Sequence, residues 1–203
     1  MKICGFQKTT LLDFPGHLAA TIFLGSCNFR CPFCHNSGLL GTDAPAAFSV
    51  QEVLSVLSRR ASVLEGVCIT GGEPTLSDGL EDLIRDIRSL GLAVKLDTNG
   101  YRPKVLKVLC SQGLLDYVAM DIKSSPEHYA EAAGVPGLDI GLINESIAFL
   151  KEGTVPYEFR TTVAKGLHTR KDFEQIGPWL SGAGQYFLQN YVDSDNVLRP
   201  GFS

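Results

Sequence analysis

With 203 residues, 44% of them hydrophobic and 20% charged, the chain has the balance of one globular core and not of a disordered or cross-link-dependent protein. Its formal charge of −4 comes from 18 basic and 22 acidic residues dispersed along the chain, which leaves no basic face for a nucleic acid. No apolar run approaches the roughly 18 residues that cross a bilayer, and Met-Lys-Ile-Cys-Gly is not a signal sequence, so a cytoplasmic protein with no membrane partner is expected.

In chain order, residues 1–17 read as an N-terminal extension, and the first strand is the apolar, β-branched run 18–24 between Gly16 and Gly25. Val50, Val53, Leu54, Leu57, Ala61 and Leu64 then follow a helical period, with Ser49 and Glu52 spaced as a capping box. A second strand is expected at 66–70. Leu80, Leu83, Ile84, Ile87 and Leu90 form the next helical stripe, stopped by Gly91. Further strands are expected at 93–97, 117–121, 157–163 and 185–191. Strands alternating with helices about every 30 residues imply βαβ units and parallel neighbours. The expectation is therefore a single-domain partial (β/α)6 barrel of parallel strands over 18–191, followed by a tail at 192–203. Its ligands belong at the C-terminal ends of the strands.

Six cysteines are unevenly placed. Cys4, Cys68 and Cys110 stand alone and read as small packing residues. Cys27, Cys31 and Cys34 share one loop, Gly25-Ser-Cys-Asn-Phe-Arg-Cys-Pro-Phe-Cys-His35-Asn36, directly after the first strand. Three thiols this close can chelate one soft metal centre and cannot pair off as disulfides without a remainder. Tetrahedral zinc needs a fourth ligand, and His35 lies too near Cys34 in sequence to turn back easily onto the same ion. An iron–sulfur cubane with one open iron suits three thiolates, so a cluster and a zinc ion both stand as readings.

The other strand ends also carry polar residues. Gly71-Gly72-Glu73-Pro74 is a tight turn that lets backbone approach a ligand and presents a carboxylate. Asp97-Thr98-Asn99-Gly100 and Met120-Asp121-Ile122-Lys123 end neighbouring strands, and two carboxylates there raise each other's pKa unless a cation lies between them. Arg160 is a charge inside a strand-like run and needs an anion, from a ligand, from Glu158 or from another structural partner. Gln189 and Asn190 end the sixth strand. His17, His128 and His168 read as isolated surface or core histidines.

The C-x3-C-x2-C loop, with Phe33 before its third cysteine, resembles the signature of the radical S-adenosylmethionine (SAM) superfamily. The segment Gly-Phe-Gln-Lys-Thr-Thr-Leu-Leu-Asp-Phe-Pro-Gly-His-Leu at 5–18 and Cys34-His35-Asn36 look like the activating proteins of anaerobic ribonucleoside-triphosphate reductases, a likeness running from residue 3 to about 191. The resemblance implies a [4Fe–4S] cluster on Cys27, Cys31 and Cys34, with SAM on the open iron. It implies further that Phe33, His35 and Asn36 lie by the adenine, although simple loop packing also explains Phe29 and Phe33. Gly71, Gly72 and Glu73 would receive the SAM ammonium group. Asp97, Thr98 and Asp121 would lie beside SAM and a monovalent cation, Lys123 and Arg160 would face the SAM carboxylate, and Asn190 would contact SAM.

The activity so implied is one-electron reduction of SAM to methionine and a 5′-deoxyadenosyl radical, which takes a hydrogen from a backbone glycine of the reductase. A flavodoxin- or ferredoxin-type protein would supply the electron. The alternatives are an activator of another glycyl-radical enzyme of the pyruvate formate-lyase type, a small-molecule enzyme resembling 7-carboxy-7-deazaguanine synthase, and a non-catalytic zinc-binding scaffold. Relatives usually continue past the sixth strand into a helix where this chain has Arg199-Pro-Gly-Phe-Ser, which leaves closure of the barrel open.

Overall fold

In the computed structural model, which describes residues 1–194 and 196–202, the chain forms one sheet of seven strands in sequence order. The strands are β1 (Ile3–Thr10), β2 (Ala19–Leu24), β3 (Gly66–Gly71), β4 (Ala93–Thr98), β5 (Tyr117–Asp121), β6 (Tyr157–Val163) and β7 (Tyr186–Asn190). The helices between them are α1 (Val50–Arg60), α2 (Leu80–Ser89), α3 (Pro103–Ser111), α4 (Tyr129–Ala133), α5 (Ile140–Lys151) and α6 (Arg170–Trp179). β2 to β7 are parallel, as their helical crossovers require.

The N-terminal extension departs from expectation, because it contains a strand of its own. β1 pairs antiparallel with β2, with two shifts of register. Its sequence, Ile-Cys-Gly-Phe-Gln-Lys-Thr-Thr, has neither clean alternation nor a β-branched run, so the partner strand and not local propensity makes it a strand. The turn that follows is tied by Thr10 Oγ1, which accepts from the N–H groups of Leu12 (3.1 Å) and Asp13 (3.3 Å). Beyond it Phe14 is buried under the sheet, with its ring 2.8 Å from where a Cβ on Gly66 would stand.

Both helix signals operate as the sequence implies. Ser49 and Glu52 close a reciprocal capping box on α1. Gly91, at φ +80°, ends α2 and donates its N–H to Arg88 O at 2.9 Å.

Strand alternation separates two faces. Val67, Ile69, Val94, Leu96, Val118, Met120 and Phe159 have no exposed surface and face the helices. Cys68, Lys95, Asp97, Asp121, Glu158 and Arg160 take the opposite face. That face is the concave one, and Arg160 on β6 spans it to reach Asp97 on β4 at 3.3 Å across the intervening β5.

Residues 192–194 and 196–202 run back over the cysteine loop: Leu198 N–H donates to Cys34 O (3.1 Å), Arg199 N–H to Pro32 O (2.9 Å) and Ser37 Oγ to Asn196 O (2.6 Å). Asp195 and Ser203, within the expected tail, lie outside the described residues.

Candidate active site

The cysteine loop leaves β2 through Ser26, whose φ of +76° turns the chain sharply over the end of the sheet. Backbone bonds from distant segments fix it there. Ser26 N–H donates to Leu39 O (2.7 Å), Arg30 N–H to Ala133 O at the end of α4 (2.8 Å), and Ser26 O accepts from Glu73 N–H (2.8 Å). Two glycines permit this approach. A Cβ on Gly72 would stand 2.1 Å from Ser26 O, and one on Gly134 would stand 2.2 Å from Arg30 O.

The result is a cavity at the C-terminal strand ends, ≈ 910 Å³ including its open side, lined by Cys27, Cys31 and Cys34 on one wall and by Asp97, Asp121, Lys123 and Arg160 on another. Phe33, His35, Asn36, Gly71, Gly72 and Thr98 complete the expected lining. Phe33 is buried and also packs edge-on to His168, with ring centroids 5.9 Å apart. Phe29 lines the cavity while packing on Tyr101 at 5.4 Å. Asn36 Nδ2 donates to Gly71 O at 3.1 Å, and His35 stacks on Tyr191 at 5.2 Å.

Two expected residues stand outside the lining. Glu73 has no exposed surface; its carboxylate accepts from Thr75 N–H (3.1 Å), the Thr75 hydroxyl, Thr98 Oγ1 (2.8 Å) and Asn99 N–H (2.7 Å). Burial pushes its carboxyl up and those donors pull it partly back. Glu73 is a latch between the β3 and β4 loops, and its acceptors are taken by its own chain. Asn190 is exposed and alternates away from Gln189, which does line the cavity. Leu40, Thr70, Asn99 and Thr162 also line it. Thr70 and Thr162 were legible from parity, since they lie two residues beyond the inward-facing Cys68 and Arg160.

The charged wall is an alternating ladder. Lys95 pairs with Asp97 (2.5 Å), Asp97 with Arg160 (3.3 Å), Arg160 with Asp121 (3.0 Å) and Asp121 with Lys123 (2.9 Å), while Glu158 approaches Arg160 at 3.8 Å. Burial alone would raise the Asp121 carboxyl, but Lys123 and Arg160 outweigh it and hold the group well below the usual carboxylate range. The Arg160 guanidinium thus stands between the two acidic strand ends, where a monovalent cation was expected, and its partners are Asp121, Asp97 and Glu158. Lys95, only 1% exposed in its side chain, was not anticipated as a member.

Burial likewise raises the three thiols, Cys27 to about 12 and Cys31 to about 11, and Cys34 upward. Among the described residues, no three His, Cys, Asp or Glu side chains converge closely enough to hold a single metal ion. A cubane takes each thiolate on a different iron, and three cysteines spread around one cavity wall fit it. No helix is long and apolar enough to cross a membrane, among the residues described.

Known proteins are similar to this chain at three levels. A curated protein of Methanocaldococcus jannaschii named as a glycyl-radical enzyme activating enzyme is 30% identical over 197 residues, 95% of this chain and 81% of the relative. A GTP 3′,8-cyclase named from Thermococcus kodakarensis is 30% identical over 155 residues, 74% of this chain but 48% of the relative. Streptococcus suis SuiB, solved with S-adenosylmethionine, shares the fold at TM-score 0.68 and 13% identity, over 88% of this chain and 44% of that one, so the chain spans less than half the length of SuiB and of the cyclase. The family model of the radical SAM superfamily matches residues 21–176, which contain the cysteine loop and the whole charged wall. The chain belongs to the radical SAM superfamily, and it is an enzyme of that family on a partial barrel.

Proposed function

We propose that this enzyme activates a glycyl-radical enzyme, and that its protein substrate is an anaerobic ribonucleoside-triphosphate reductase. The observation that carries the reading is one cavity with three separate thiols on one wall and an ion-pair ladder on the other. Likeness across 81% of a protein named as an activating enzyme, against 48% of the cyclase, favours activation over cyclisation.

Cys27, Cys31 and Cys34 would hold the [4Fe–4S] cluster, and the cluster with SAM supplies reductive cleavage that ends in abstraction of a hydrogen atom. The chain's own part is to bind and to orient. Gly71 and Gly72, without side chains, admit a ligand to the backbone. Lys123 and Arg160 offer N–H donors to a carboxylate; Asp97 and Asp121 accept from an ammonium group or from hydroxyls. Arg160 already bridges the two aspartates, so this reading requires no monovalent cation. Phe29, Phe33 and Leu40 give the cavity an apolar rim that keeps water from the reacting atoms. A flavodoxin- or ferredoxin-type protein is the electron donor.

Electron paramagnetic resonance of the anaerobically reconstituted, dithionite-reduced protein tests the reading. The expected result is a [4Fe–4S]⁺ signal that changes on adding SAM, followed by a glycyl-radical doublet once the reductase is added. Protein that takes up no iron and sulfide overturns the cluster assignment; a SAM-responsive cluster that leaves the reductase without a radical overturns the choice of partner.

A further inference from the structure

The open sheet has two edges, and they are built differently. At β1, Lys8 and two shifts of register interrupt the edge, and Ile3 is bridged by Phe48. These are the ordinary ways in which proteins keep an edge from recruiting another strand. β7 has none of them. Its sequence, Tyr-Phe-Leu-Gln-Asn, carries no charge and no proline, and its register with β6 is unbroken. Phe187 and Leu188 are 48% and 59% exposed.

The backbone of that edge is available as well. Gln185 O accepts from Phe159 N–H (3.1 Å) and Tyr191 N–H donates to Val163 O (3.1 Å), so odd-numbered residues bond to β6. Alternation then turns the N–H and C=O groups of Tyr186, Leu188 and Asn190 to the open side. β6 is the one strand paired with β7 among the described residues. The same strand runs into the cavity: Gln189 lines it, and Phe187, in register with Arg160, faces the concave side below.

We propose that the β7 edge takes up an extended segment of the protein substrate as a transient eighth strand, which delivers the target residue to the cavity at Gln189. This rests on the reading of the chain as an activase. Main-chain pairing with Tyr186, Leu188 and Asn190 supplies affinity, while Phe187 packs against the segment's inward side chains. A strand beside β7 lies about 4.8 Å from it, close enough for a residue without a side chain to enter the cavity. A second copy of the chain paired through the same edge is the competing occupant, and the measurements below separate the two.

Amide hydrogen exchange at Tyr186, Leu188 and Asn190, with and without an anaerobic ribonucleoside-triphosphate reductase, reads the pairing directly. Exchange at these amides should slow at least tenfold when the reductase is added. The variant Leu188→Pro removes one outward N–H and no bond to β6; its KM for the reductase should rise at least tenfold while SAM cleavage without partner stays at the wild-type rate. Leu188→Thr, which keeps the N–H, should restore most of the affinity.

Wild-type radical formation with no slowing of exchange overturns the edge and leaves the functional reading intact. Absence of both radical and slowing overturns both. Slowed exchange without a radical supports the edge and overturns the choice of reaction. Amides already slow in the free protein, together with a concentration-dependent dimer in ultracentrifugation, assign the edge to a second copy and overturn the proposal. If Leu188→Pro fails to fold, the exchange measurement on wild type decides alone.

Discussion

Glu73 shows how residue type and residue role can part. Its place after two glycines at a strand end suggests a ligand carboxylate, yet its oxygens are occupied by Thr75, Thr98 and Asn99. Removing them leaves buried N–H groups without acceptors, which costs roughly 3 kcal/mol. Glu73→Ala should therefore lower the urea midpoint clearly, and any loss of SAM affinity should follow from displacement of Thr98 and Asn99. Arg160 shows the converse, a charge that sequence flags as needing an anion and that finds three. Arg160→Met leaves Asp97, Asp121 and Glu158 facing one another with less positive charge. Asp121 is held below the usual carboxylate range, so its stabilisation is present at neutral pH and is lost as pH falls through its folded value. With Arg160 gone that value rises, and acid unfolding followed by circular dichroism should begin at higher pH than in wild type.

The elements are held by contacts that join distant loops. Asp172, in the first turn of α6, accepts from Thr169 N–H (2.8 Å) and Thr169 Oγ1 (2.7 Å) as a cap. It also accepts from Ser125 Oγ (2.6 Å) and His128 Nδ1 (2.7 Å), which lie between β5 and α4. Burial alone would raise this carboxyl, but the donors outweigh it and hold it well below the usual range. The Asp172 bond in turn raises the His128 imidazole. Asp172 therefore stabilises above the ordinary carboxylate pKa and loses that contribution as the solution becomes acidic. His128 contributes fully below about pH 6.5, and its share is lost as pH rises through its folded value. The clamp is strongest between these limits. Asp172→Asn should cost about 2 kcal/mol in urea denaturation near pH 6 and less at pH 3.

For the molecule as a whole, the parallel strands and the cavity lining were largely legible, because both follow from period and position. Glycine and polar residues at strand ends mark where loops gather, and alternation tells which strand residues face inward. β1 was hidden because its pairing is non-local and its pattern irregular. Lys95 was hidden because nothing near it in sequence shows that a lysine in a strand will be buried beside Asp97. The return of the tail across the cysteine loop was equally unreadable, since Leu198 and Arg199 contribute backbone N–H groups, which every sequence possesses.

The cysteine loop is anchored chiefly by main-chain bonds to Leu39, Glu73, Ala133, Leu198 and Arg199, to which the thiols add only long sulfur contacts, Cys31 Sγ to Ala133 O (3.8 Å) and Asn99 Nδ2 to Cys27 Sγ (4.0 Å). Metallation should accordingly proceed as docking into a rigid cradle and not as folding around a metal. Nearly all of the free energy of cluster binding then remains as affinity, unlike in domains that are unfolded without their metal. Iron-free protein should melt cooperatively, with a far-ultraviolet spectrum matching that of the loaded enzyme. Damage to the cluster by oxygen would then leave an intact protein ready for repair.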